Sequence, residues 1–587
     1  MKRSEVEEKY KWDLTYIIKD EAELETLINE ISDGVKKIKG YENKLANPTQ
    51  LLAFFNEDES LSLKINRVYT YVFLQKVVDL TDAKWLKYSN IADSIYSKYL
   101  EATAFVSPEI CALDATLLME LAKDKAFANY DRILKNAIDQ KPHILSKAEE
   151  VIMSRISTFT DFDSVYKNLN DVELKYGKVM VDGKKEEVSH SKYQVLLRNK
   201  NQDVRTKTYN NMHKTYGAYN LTLSQNYINR LKYESFVSKQ RKFKSSFEMA
   251  CFNEEVDVQI FHSLIDVLSK YLPVYQDYLR AKKAKLGVKD FYLSDLYVNT
   301  TDAKEKHYEI EDMVSLVKNA LAPLGKEYCD VVKTAIEKRW VDIFPNDNKE
   351  SGAFATSCGV GVPYVMLNFE KNYNGVSTFA HEIGHALHSY YTEKTQPLTK
   401  QNYAIFVAEV ASTVNELLLN TYMRNNAKTK EEKLYYLEDL LTEFTGAVIY
   451  QSLYGEFEYK INRLIDQDKP VTFETLNKTF SKLLNKYYGK DVKKSKWAKF
   501  GWSRIPHFYR PFYVYKYATS LLISILISHK ILTEGEPFVK KYIEFLKGGA
   551  SATPVELLKI CGVDATQKET YDQALKVFVS MVEEYKK

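Results

Sequence analysis

"HEIGHALH", His381 to His388, is the stretch on which the reading of this chain turns, because it packs three of the ten histidines into one short run. The run lies in a segment patterned for helix. "NYNG" ahead of it is a turn signal, Ser377 is the expected N-cap, and the helix is expected to reach about Tyr391. Phe379, Ile383 and Leu387 form an apolar stripe at i, i+4 and i+8, and His381 and His385 point to roughly the opposite side. Two imidazoles one turn apart, roughly 6 Å along the axis, can both reach one tetrahedral zinc. Glu382, about 100° further round, flanks such an ion without ligating it and can take a proton from water, which is the mechanical content of H-E-x-x-H. Gly384 costs the helix about 1 kcal/mol relative to alanine, and its missing side chain is expected to leave room beside the metal. His388 lies roughly 10 Å along the axis from His381, too far to share the ion, so a supporting or cleft role is expected.

The third ligand is expected on the next helix, "NYAIFVAEVASTVNELLLNTYM" (Asn402 to Met423). Glu409, Ser412, Thr413 and Glu416 fall along one face, with Phe406, Val410, Val414 and Leu417 on the other. A carboxylate among apolar and small neighbours needs a partner. Zinc is the expected partner of Glu409, and an ion pair with a Lys or Arg is the alternative. Ala408, Ala411 and Ser412 would let the two helices approach closely. Glu416 reads as a surface or supporting position.

Upstream, "AFATSC" and "VPYVMLNF" (Val362 to Phe369) are short, β-branched and aromatic, and are expected to be two strands just ahead of the histidines. The turn-rich "FPNDNKESG" (Phe344 to Gly352) precedes them. Most of the remaining chain shows three- and four-residue apolar spacing and reads as helix. "KYGKVMVDGKKEEVSHSKY" interrupts it with a small hairpin, expected near residues 173–192. The expected division is a helical lobe over 1–200 and a catalytic domain over 201–587.

A net charge of +4 over 587 residues is too weak to point to nucleic acid or a membrane surface. Five scattered cysteines include no C-x-x-C pair, which argues for a reducing compartment. "MKRSEVEEKYKWDL" has no apolar segment behind its basic residues, and "SLLISILISH" (Ser520 to His529) is about half the ~20 residues a membrane span needs. A cytoplasmic protein is the expectation.

"STFAHEIGHALHSYY", the Glu409 segment and "GAFATSCGVGVPYVMLNF" together resemble the oligoendopeptidase F branch of the thimet oligopeptidase-like (M3) metallopeptidases. "KWDLTYI", "SSFEMACFNEEVD", "LGVKDFYLSDLYV" and "RIPHFYRPFYVYKYATS" extend the likeness, in order, over essentially the whole chain. The resemblance implies a mainly α, two-lobed shell around a deep substrate channel, with a zincin-like core and a small sheet. It implies one Zn2+ per chain on His381, His385 and Glu409, with Glu382 as the catalytic glutamate. Gly352, Ala353 and Phe354 map to a strand that pairs with the substrate backbone. His507 and Tyr517 map to oxyanion donors, with Tyr513 and Tyr515 as rivals. A helix starting near Phe512 would put Tyr513 and Tyr517 on one face. In "NKESGAF" the resemblance leads one to expect a basic residue near Glu350, a departure that bears on recognition of the substrate's end and not on catalysis.

The function these readings support is a zinc endopeptidase cutting short oligopeptides. A zinc exopeptidase on a related scaffold and a peptide-binding protein without catalysis are the alternatives. Cys358 as a nucleophile is a minor reading beside a neutral thiol lining the cleft.

Overall fold

The structure, a computed structural model, describes residues 1–157, 159–302 and 306–587. It is mainly helical, with three small sheets among the described residues. Two compact units emerge, one made of residues 1–142, 305–422 and 527–563, the other of 143–304, 423–526 and 564–587. This differs from a division at 200/201. The reason lies in the hairpin region: Tyr176 and Tyr216 share a 3.1 Å hydroxyl contact, and Tyr166 bonds Asn170 in the same buried cluster. A boundary at 200 would cut through that core.

In the first unit, three N-terminal helices pack together: Glu21–Ile38, Pro48–Val77 and Ala83–Thr103. Each starts on a side-chain cap, from Asp20, Asn47 and Asp82 respectively. Leu24, Leu27 and Ile31 of the first and Phe54, Ile65 and Val68 of the second enter one apolar core. That core also takes in Tyr364 and Met366 of a three-stranded sheet. In the sheet, Tyr364–Met366 is central, parallel to Val341–Asp342 and antiparallel to Phe354–Thr356. Both expected strands are present, and Phe354–Thr356 is an edge strand whose Phe354 ring meets Phe73 at 5.2 Å. Beneath the turn that leads into it, the buried Lys349 pairs with Asp342 at 2.7 Å and donates to the Phe344 and Leu367 carbonyls.

The second unit is built on the helix Gln259–Leu286 packed along Lys568–Lys586. Its hairpin, Lys178–Val181 with Lys184–Glu187, turns on Asp182 and Gly183, both at positive φ, as a two-residue turn of that type requires. Arg205 and Asp295 form a fully buried ion pair at 2.8 Å. Among the described residues, no single helix is long and apolar enough to cross a membrane.

Candidate active site

The histidine helix spans Tyr373–Thr395, one turn earlier and one turn later than its expected bounds. Asn372 caps it by accepting the Gly375 N–H, and Ser377, the expected cap, instead donates to Glu416 at 3.2 Å. The second helix spans Ile405–Asn425. Phe379, Ile383 and Leu387 are fully buried, which leaves His381 and His385 half-buried on the other side.

Gly384 does not make room for a metal. A Cβ there would stand 2.5 Å from Ser412 Cα and 2.7 Å from the Ala411 carbonyl oxygen, so the missing side chain lets the two helix backbones touch. That approach carries Glu409 to the histidines. His381 Nε2 and His385 Nε2 are 3.1 Å apart, and Glu409 Oε2 is 3.6 Å and 3.7 Å from them. Around an ion bound at zinc's ordinary 2.0–2.1 Å, the edge of the tetrahedron is about 3.3–3.4 Å. The three atoms fit one face of that tetrahedron. Among the described residues, Glu409 pairs with these imidazoles, not with a lysine or arginine.

The other ring nitrogens are held as metal-ligating imidazoles usually are. His381 Nδ1 donates to Glu416 Oε2 at 2.9 Å, and His385 bonds the Ala408 backbone. Glu416 thus has a defined task that its sequence position only hinted at: it lies seven residues after Glu409, on the same helical face.

The electrostatics point the same way. Burial opposes a charge on His381, but the charge and hydrogen bond of Glu416, with Glu382 and Glu409, outweigh it and push the ring up to about 9. Burial and the charge on His381 drive His385 down to about 3. The two imidazoles together thus carry a single positive charge, beside the carboxyl groups of Glu382, Glu409 and Glu416. Glu382 is 7% exposed, and burial, resisted by His381 and aided by Glu409 and Glu416, pushes it up to about 7. A carboxyl poised near neutrality suits proton transfer.

Glu382 and His381 line a cavity of about 450 Å3 together with Gly352, Ala353 and Asn368. The edge strand thus begins at the wall of the same cavity. Asn368 ties its approach by donating to the Glu350 and Gly352 carbonyls at 2.9 and 2.8 Å. Beyond the strand, Glu393 of the histidine helix accepts the Gly359 and Gly361 N–H groups at 2.9 and 2.6 Å.

His388 supports neither metal nor cleft. It is 1% exposed, stacks on Tyr403 at 3.7 Å, and is driven down to about 3 by burial. Cys358 is buried, and burial together with the Glu393 charge pushes its thiol up to about 12, so it is no nucleophile.

In the second unit, His507, Tyr513 and Tyr517 come together. The His507 ring is 5.7 Å from Tyr513 and 6.0 Å from Tyr517, and the two tyrosine rings are 5.4 Å apart. The helix starts at Tyr515 instead of near Phe512, so a turn and not a shared helical face joins Tyr513 to Tyr517. Tyr515 leaves the set: it is 1% exposed and packed on Phe261. Burial, then the Arg510 charge, holds His507 below the ordinary imidazole range, so near neutral pH it is a neutral N–H donor.

The chain is similar to known peptidases. The profile of Peptidase family M3 matches residues 195–577, and that of Oligopeptidase F matches residues 109–176. Oligopeptidase PepF of Bacillus subtilis is 32% identical, over 99% of this chain and 88% of its own. An oligoendopeptidase F homolog of Borreliella burgdorferi is also 32% identical, over 100% and 99% of the two chains. A solved structure from Chlamydophila abortus superposes with a TM-score of 0.95 at 28% identity, over 100% of this chain and 99% of the other. Oligoendopeptidase-F of Enterococcus faecium superposes at 0.73 with 26% identity, over 96% and 98%.

Proposed function

The chain belongs to peptidase family M3 and is an oligopeptide-hydrolysing metalloendopeptidase of the oligoendopeptidase F kind, and on that premise we propose that it uses one zinc, held by His381, His385 and Glu409, to cut internal bonds of short peptides. The observation that carries this reading is the triangle of His381, His385 and Glu409 ligand atoms, with sides of 3.1, 3.6 and 3.7 Å, beside the buried Glu382.

Zinc held by His381, His385 and Glu409 would supply Lewis acidity toward the scissile carbonyl and the attacking water. Glu382 takes a proton from that water and hands it to the leaving amine. Glu416 accepts the His381 Nδ1–H and so keeps the Nε2 lone pair free for the ion. Residues Gly352, Ala353 and Phe354, at the start of the edge strand, pair with the substrate backbone, a mode that holds an extended peptide without demanding particular side chains. His507 and Tyr517, with Tyr513 beside them, donate to the oxyanion as it forms. The intact Glu382, and a donor set shaped for catalysis, favour turnover over mere peptide binding.

The test is elemental analysis together with mass-spectrometric mapping of cuts in free and end-blocked peptides. About one zinc per chain and internal cuts in blocked peptides are expected. Cuts confined to bonds next to a free terminus would turn the reading toward an exopeptidase, and substoichiometric zinc in an active enzyme would remove the zinc assignment.

A further inference from the structure

The segment that carries His507 and Tyr513 is irregular, and its shape has a definite cause. A short helical turn, Pro506–Tyr509, leads through Arg510 and Pro511 to Phe512, before the helix from Tyr515. Phe512 has φ +51, in the left-handed region that a bulky side chain resists. Proline at the second position and positive φ at the third mark a type II turn, a place glycine usually fills. A phenylalanine stands there because its ring is 1% exposed and packs 4.8 Å from Phe247. Its N–H donates to Glu458 Oε1 at 2.8 Å.

Glu458 lies on the helix Gln451–Asp466, is 1% exposed, and its Oε2 has no partner among the described residues. The preceding residue, Phe457, meets Phe508 at 5.5 Å. Two successive residues of one helix thus grip the segment on both sides of Pro511. With Phe508 and Phe512 turned inward, His507 and Tyr513 are left half-buried and facing each other, with Tyr517 beside them.

We propose that Glu458 is a positioning residue for the oxyanion donors: by accepting the Phe512 N–H it sets the turn that brings His507 and Tyr513 into register with Tyr517. The inference rests on the donor roles proposed above. Burial pushes the Glu458 carboxyl well above its ordinary range, so it keeps its proton. Glutamine therefore matches it in size, charge and acceptor oxygen. Leucine keeps the bulk without the acceptor, and aspartate keeps the acid but falls one methylene short.

The test uses the full-length, zinc-loaded enzyme on an end-blocked peptide. Glu458→Gln should keep kcat within about threefold of the parent, while Glu458→Leu and Glu458→Asp lower kcat about 10- to 100-fold with KM and zinc content unchanged. If the leucine variant does not fold, the glutamine and aspartate pair carries the comparison alone. Parent-like kcat in the leucine or aspartate variants, or an equal loss in glutamine, would overturn the inference. Tyr517→Phe and His507→Gln run alongside. A loss of kcat in these two with none at Glu458 overturns this inference alone, whereas no loss in either removes the donor assignment and this inference with it.

Discussion

The helix pair bearing His381, His385 and Glu409 and the segment bearing His507 and Tyr513 both carry polar side chains that the proposed mechanism uses, but they are held by opposite means. In the first, charged groups stand on regular helices, and the spacing between them is set by backbone meeting backbone at Gly384. In the second, neutral donors stand on a turn whose shape depends on one hydrogen bond to a buried carboxyl from another helix. A charged constellation collects its own ion and is held from several directions. A neutral one has no such adhesive and depends on the scaffold for its geometry.

The contrast can be broken or sharpened by substitution, beginning where the effect should be greatest. Glu409→Ala should lose zinc and activity together, and undiminished zinc in the purified variant would send the third ligand elsewhere. Glu382→Gln should keep zinc while kcat falls about 10²- to 10⁴-fold; turnover at parental rates would strip Glu382 of its proton-transfer role. Tyr517→Phe should lower kcat about 100-fold without altering zinc content, the signature of a donor felt only in the transition state. Glu416→Gln should weaken zinc affinity about 10- to 100-fold, measured by competition with a chelator. Gly384→Ala should cost about 1–3 kcal/mol of stability by forcing the helices apart, seen in denaturant unfolding, with zinc affinity weakened in step.

The same contrast explains what could be read from sequence. Histidines at i and i+4 share a face in any helix, so His381, His385 and the flanking Glu382 were legible from spacing alone. Glu409 was legible as a carboxylate in apolar company. The role of Gly384 was not, because it depends on Ala411 and Ser412 of another helix. Cap propensity alone puts the helix start at Ser377, whereas Asn372 caps the helix and Ser377 is occupied with Glu416. What sets the buried Tyr515 apart from Tyr513 and Tyr517 is where a helix begins after a proline and a positive φ at a phenylalanine, which no local propensity indicates. A two-part chain was expected, but the bounds of the two compact units are not legible in sequence, because each gathers three separate stretches of chain.

The backbone seam at Gly384 has a mechanical consequence for the ligand triangle. A seam of long side chains could yield as the ion changed, but here main-chain atoms bear on one another and the ligand triangle inherits their stiffness. A Cβ at position 384 would therefore part the two imidazoles from the Glu409 carboxylate instead of merely bending a side chain. Two nitrogens and one carboxylate oxygen are donors that zinc takes, where calcium takes six to eight oxygens, so the donors decide the kind of ion and a glycine decides how near they stand.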